Sequence, residues 1–273
     1  MKTSNLRRSK EQLPLPRIAV AHESQMPMFQ PTRRPVPLSR YVRETPYGTV
    51  TITGKLGQGH RDLLDAILFH RENFNIRDGR LSVLVDPYQI RKAISAERTM
   101  LPYAHIEKLL EDLRTAKVEM TWQDGNRHYR LHEGVIAGFV EASSKLVASG
   151  TFAQRDEDGC DQDHRGMLKI TFGQAMTQMF LEDQSIHYPL ASVVGMKHGL
   201  SQAIARYCLS HESVHETFDG ICARVGFDLD GKAPRTVRSA KEKLRDDAAM
   251  LATMGIEVRS NGGVHRKSGR SKP

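Results

Sequence analysis

Apolar positions along this chain switch between a spacing of two and a spacing of three and four, and the switches mark its elements. TVTIT at 49–53 alternates as a strand does. From about Arg61 to Glu72 the residues Leu63, Leu64, Ile67 and Leu68 fall on one side of a helix. LSVLV at 81–85 reads as a strand, and a short helix is expected from Asp86 to Ser95 with Asp86 as its N-cap. A longer helix from about Leu101 to Ala116 carries the stripe Ile106, Leu109, Leu110 and Leu113. Val118 to Trp122, a turn at Asp124–Gly125–Asn126 and Arg127 to Val140 then predict a hairpin. MLKITFG at 167–173 supplies a strand completing that sheet, and Gln174 to Leu181 a closing helix.

The pattern then repeats. A helix is expected from about Leu200 to Leu209 and a short one from Phe218 to Val225. In KAPRTVRSAKEKLRDDAAMLATMG, Val237, Ala240, Leu244, Ala248 and Leu251 form a stripe along one side of a third helix, with Arg235, Arg238 and Arg245 off it. Gly255 stops that helix, Ile256 to Arg259 extends, Ser260 to Gly263 turns and Val264 to Lys267 returns. Helix, strand, helix, helix, strand, turn, strand is the winged-helix order. The fold class expected is therefore α+β, with two tandem winged-helix domains at 47–183 and 184–273. A polar, mobile loop is expected at about 153–166 of the first.

Composition adds an arm. Residues 1–46 hold seven of the twelve prolines with dispersed arginines and little periodicity, which predicts a disordered, mobile segment. The net charge of +8 is concentrated at the ends: residues 1–45 carry nine Lys/Arg against three Asp/Glu, and 259–273 five against none. A polyanionic partner is implied, although the central part of the chain is not itself basic. A chain of 273 residues is long enough for two small cores. Three cysteines without CxxC spacing fit a reduced, cytoplasmic protein, and no run has the length of a signal peptide or a membrane span.

Candidate chemistry is of three kinds. A helix buried on one side and basic on another can enter a major groove while its hairpin touches phosphates. In the second copy Arg235, Arg238 and Ser239 lie where side chains reach base edges, with Arg245 off the apolar stripe. Lys232, Arg259, Arg266 and Lys267 suit phosphates. In the first copy Arg98, Tyr103 and Lys108 correspond, with Arg127 on the wing. Glu242 and Asp246 share the exposed side of the second copy's helix and weaken a purely basic face. Gln25-Met26-Pro27-Met28-Phe29 resembles the bacterial sliding-clamp-binding motif, in which Gln25 satisfies a pocket rim while Met28 and Phe29 fill it. His211-Glu212-Ser213-Val214-His215 satisfies HExxH, the spacing of a zinc hydrolase. The apolar pattern fades at Ser210, so this pentapeptide falls in a turn that cannot present both imidazoles on one helical face. No metal, cofactor or catalytic residue is expected. The glycines at 54–59 lack the GK[ST] of a P-loop, and the acidic loop fails EF-hand spacing.

Leu200-Ser201 through Leu209-Ser210-His211, then Glu216-Thr217-Phe218, then the helix leading to Met254-Gly255-Ile256, together with the arm, resemble the TrfA-type plasmid replication initiators of the tandem winged-helix Rep group. Over Tyr47 to Trp122 the likeness rests on element order. The resemblance implies a non-enzymatic protein that binds iteron repeats at a plasmid origin and promotes opening of an A·T-rich region. It also implies copy control and recruitment of the host sliding clamp, replicative helicase and initiator protein, with homodimerisation through the first domain. A plasmid-encoded transcriptional regulator of the same fold is the alternative, and a zinc hydrolase a distant one.

Overall fold

A computed structural model describes residues 19–20, 27–45, 48–95, 99–124, 127–142, 166–182 and 185–267. Strands β1 (Ala19–Val20), β2 (Leu38–Thr45) and β3 (Gly48–Gly54) precede helix α1 (Gln58–Phe69). A hairpin of β4 (Arg71–Arg77) and β5 (Arg80–Val85) leads to α2 (Pro87–Ser95) and α3 (Tyr103–Thr115). Strands β6 (Lys117–Asp124), β7 (Arg127–Gly134), β8 (Ile136–Ala142) and β9 (Met167–Phe172) complete the first module. Helix α4 (Gln174–Glu182), strand β10 (Ser185–Ile186) and helix α5 (Leu190–Gly195) connect it to the second. That module contains α6 (Gly199–Leu209), β11 (Val214–Glu216), α7 (Phe218–Arg224), α8 (Pro234–Asp246), α9 (Ala248–Thr253), β12 (Ile256–Val258) and β13 (Val264–Arg266).

Both modules place helix, strand, helix, helix and a returning hairpin in one topology. In the second the sheet order is β11-β13-β12, and in the first β5, β9 and β8 stand in the same order, with β4 added at the edge. The last strand pairs between the first and the middle one, as in a winged helix. The fold is thus α+β with two tandem winged-helix modules.

The hairpin of the first wing is not the one the sequence suggests. Arg127 to Val140 reads as one strand but is two, bent at Gly134 and Val135 into different sheets. The Val135 N–H donates to the Leu113 carbonyl at 3.1 Å, and the Gly173 N–H donates to the Val135 carbonyl at 3.2 Å. A Cβ on Gly134 would lie 2.6 Å from the Arg114 carbonyl oxygen, so only glycine lets the chain turn there. As a result β6 and β7 join β2 and β3 in a separate sheet of order β2-β3-β6-β7, and β8 with β9 takes the place of the wing. The loop expected to be mobile at about 153–166 falls between β8 and β9, and all of it but Gly166 lies outside the described residues.

The segment 27–45, expected to belong to a mobile arm, is structured. Met28 and Phe29 are 1% and 5% exposed, members of the core, and each such burial contributes about 1.5–3 kcal/mol. The strap they anchor crosses the start of both modules. The Gln30 N–H donates to the Leu56 carbonyl at 3.0 Å and the Gln58 N–H to the Thr32 carbonyl at 2.9 Å. Arg33 donates to the carbonyls of Val194 and Met196 at 2.6 and 2.9 Å. A Cβ on Gly57 would come within 2.7 Å of the Thr32 oxygen, and one on Gly199 within 2.6 Å of Thr32 Cα. Both helix starts carry glycine because the strap presses on them.

The two small cores expected from length are replaced by one continuous apolar cluster running from Met28 to Val264. Where α1 faces α6 it encloses charge. Arg206 donates to Asp62 at 2.5 Å, to Asp65 at 2.9 Å and to Gln58 at 2.7 Å. Arg61 donates to Asp65 at 2.8 Å, and Tyr188 to Asp65 at 2.5 Å. All four charged side chains are at most 3% exposed. Burial, then the Asp65 charge, pushes the Tyr188 hydroxyl well above its ordinary pKa, while the two carboxylates hold Arg206 firmly protonated despite desolvation. Partly exposed Arg33 stands 3.9 Å from Asp62 at the edge of this set, and breaking one of its buried members leaves an uncompensated buried charge.

Candidate nucleic-acid interface

Helix α8 begins where Gly231, at φ +69°, turns the chain and Pro234 occupies the first turn, a position that needs no N–H donor. Ala240 and Leu244 are buried beneath it and Val237 half-buried, so the expected stripe faces inward. It ends at Asp247, whose buried carboxylate accepts the Lys197 and His198 N–H groups at 2.9 and 3.0 Å. The single helix expected over this stretch is therefore broken into α8 and α9. Pro234, Arg235, Arg238, Ser239 and Glu242 line one shallow depression on the outer side of α8. Arg235 and Arg238 are exposed, and neither has an ion-pair or hydrogen-bond partner among the described residues. Glu242 shares that face.

Around α8 the remaining candidates divide. Lys232 and Lys267 are exposed. Arg245 is exposed and donates to the Ser260 carbonyl at 2.6 Å, so it ties the helix to the hairpin turn. Arg259 lies on that turn, 3.2 Å from His265 Nδ1. Burial and the charges of His215 and Arg259 lower the His265 pKa. Arg266, expected at a phosphate, is committed elsewhere: its guanidinium donates to the carbonyls of Cys208 and His211 and closes the end of α6.

In the first module Tyr103 is 43% exposed at the start of α3, with the Arg91 guanidinium 4.6 Å from its ring centroid. Arg91 also donates to the Leu101 carbonyl at 2.6 Å, which fixes that stacking. Lys108 is exposed on the same helix. Arg98 and the side chain of Arg127 lie outside the described residues. Arg127 nevertheless begins β7, in the sheet with β2 and β3, and so does not belong to the β8–β9 wing.

The clamp-binding assignment is overturned by burial. Gln25 lies outside the described residues, but Met28 and Phe29 fill the chain's own core and cannot also fill another protein's pocket. Arg61 stands 5.7 Å from the Phe29 ring centroid, and the Gln58 amide donates to the Gln30 carbonyl at 3.2 Å. HExxH is likewise split. His211 sits in the turn after α6, its ring Nδ1 2.8 Å from the Tyr207 carbonyl, while His215 is on β11 with its ring 4.0 Å from that of His265. Cys208 and Cys222 are buried, and their thiols are pushed up to about 12. No helix among the described residues is long and apolar enough to cross a membrane.

Sequence reasoning missed Arg34, Lys197 and Lys243. They come from three separate elements and meet in a cleft beside α8. Nothing local in the sequence marks them, because their grouping depends on the strap being docked.

No protein-family model and no curated sequence matches the chain. Among solved structures it is similar to a crystal structure of domains 2 and 3 of RctB, with 10% identity and a TM-score of 0.52 over 90% of this chain and 94% of that one. It is also similar to a selenomethionine derivative of the same two domains, with 10% identity and a TM-score of 0.54 over 92% and 99%. At this identity the likeness is one of fold, and because it spans nearly the whole chain it includes the pairing of the two modules.

Proposed function

We propose that this chain is a replication initiator that binds duplex DNA at an origin, with α8 in a major groove. The observation that carries the reading is the outward face of α8, where Arg235, Arg238 and Ser239 stand beside one another and the two arginines are not consumed by the fold. Arginine can bond two acceptors of guanine at once, which makes such a face able to read sequence as well as charge. The hairpin turn carrying Arg259, together with Lys232 and Lys267, adds phosphate contacts that set register. Initiation is favoured over other outcomes of DNA binding by the shared tandem architecture, RctB being a replication initiator of the Vibrio chromosome II.

The finer reading is of a plasmid protein that engages repeated sites, opens an adjacent A·T-rich segment, governs copy number, and gathers the host helicase and initiator, acting by binding and without a catalytic step. Homodimerisation belongs to the same reading. Footprinting on the DNA next to the coding sequence tests it: regularly spaced protected repeats, and replication of a test plasmid that needs both those repeats and the chain, are expected. One protected operator over a promoter, with no replication, would instead identify a transcriptional regulator.

A further inference from the structure

Beside the reading face of α8 lies a cleft of about 690 Å3 formed by three separate parts of the chain. The strap contributes Arg33 and Arg34, the α5–α6 connection Lys197 and His198, and the flank of α8 Arg235 and Lys243. No aspartate or glutamate lines it. Of the acids nearby, Asp247 is buried on the backbone of Lys197 and His198, Asp246 lies 3.2 Å from the His198 ring, and Asp62, 3.9 Å from Arg33, is buried against Arg206, while Glu242 lines the adjoining depression on α8. Thr32, Thr236 and Ser239 add hydroxyls to the walls.

The cleft is continuous with the α8 face, because Arg235 and Ser239 line both. Its geometry is held from within. Arg33 spends its guanidinium on the carbonyls of Val194 and Met196, and Thr32 Oγ1 accepts the Arg34 N–H at 3.1 Å. Arg34, Lys197 and Lys243 are thereby left exposed around a fixed opening.

We infer that this cleft binds the sugar–phosphate backbone of the duplex where it leaves the groove occupied by α8, making the strap a third DNA-contacting element. The inference rests on the proposed duplex binding and adds to it a backbone site that the recognition helix and wing do not provide. Clustered cations with hydroxyl donors and no acids suit a chain of phosphodiesters, and such contacts act through charge and counterion release without regard to sequence.

The test uses the full chain and a 30-bp duplex of mixed sequence, with affinity followed by fluorescence anisotropy from about 50 to 300 mM salt. The variant Arg34→Ala/Lys197→Ala/Lys243→Ala is compared with Arg77→Ala/Lys92→Ala/Lys117→Ala, which removes three exposed charges elsewhere. The cleft variant is expected to flatten the slope of log affinity against log salt by roughly 2–3, at about 0.9 per lost phosphate contact, and to lose at least about tenfold in affinity, while the second variant keeps the wild-type slope. Unchanged thermal unfolding confirms that the cleft variant is folded. A wild-type slope in the cleft variant, or an equal loss in both variants, overturns the assignment and leaves duplex binding intact. Absence of salt-dependent binding by the wild-type chain overturns both this site and the initiator reading.

Discussion

The two modules share a topology and differ in what their third helices offer. Helix α8 carries five lysines and arginines against two acids, whereas α3 carries two against three, and one of those two, Arg114, is paired with Glu111 at 2.5 Å. The first module instead invests in structure: an extra sheet built from β2, β3, β6 and β7, an extra edge strand β4 and the ordered strap. One architecture has been kept while charge was placed on one copy and support on the other. The second module should therefore dominate affinity, and the first should orient it.

That division can be broken at its joint first. Arg206→Ala leaves Asp62 and Asp65 buried without their shared cation, and a loss of about 3–5 kcal/mol in denaturant unfolding is expected. A loss near zero would mean that the modules are held by apolar contact alone. Phe29→Ala empties a core position and should cost roughly 3–5 kcal/mol in the same measurement. A variant as stable as wild type would return the segment to the role of a free arm.

DNA affinity sharpens the comparison directly. Arg235→Ala/Arg238→Ala should lose about 2–4 kcal/mol of binding to an origin repeat, some thirtyfold to nearly a thousandfold, without a change in unfolding. Tyr103→Ala/Lys108→Ala should lose less than about tenfold. Equal losses in anisotropy titrations would show that both helices read bases.

The smallest effect is in pH. His60 is buried and neutral, its Nδ1 accepting from Gly57 and its Nε2 3.1 Å from Asp112. Desolvation lowers its pKa below the ordinary histidine value, outweighing the pull of Asp112, so the folded chain resists a proton that the unfolded chain accepts. This contribution is complete above about pH 6.5 and is lost as the pH falls through the lowered folded value. His70, lowered in the same sense by burial, adds to the loss. His60→Gln should flatten the fall in melting temperature between about pH 7 and 5.

Most regular elements were legible because their signals are local. The stripes of α1, α3 and α8 are buried as spaced, and the Asp86 cap accepts the Tyr88 N–H at 2.7 Å. The β4–β5 hairpin was missed although Asp78-Gly79, with φ of 53° and 72°, is a strong two-residue turn signal. The split of Arg127 to Val140 was not legible, since it depends on β3 capturing β6 from sixty-odd residues upstream. The proline-rich strap reads as disorder because its few apolar residues are satisfied only by partners in both modules. At the site, the α8 face was visible as residues off an apolar stripe, whereas Arg266 could be reassigned only once its distant carbonyl acceptors were placed. The cleft depends on three stretches meeting in space and has no linear signature.

The strap also fixes an order of events during synthesis. Residues 27–36 are synthesised before the second module, yet Arg33 finds its acceptors only at Val194 and Met196, and Tyr41 donates to the carbonyl of Gly226. Until those residues emerge, Met28 and Phe29 have no finished cavity to enter, and this stretch of the nascent chain is a greasy thread open to chaperones and proteases. Its docking is a checkpoint that only a chain carrying both modules can pass.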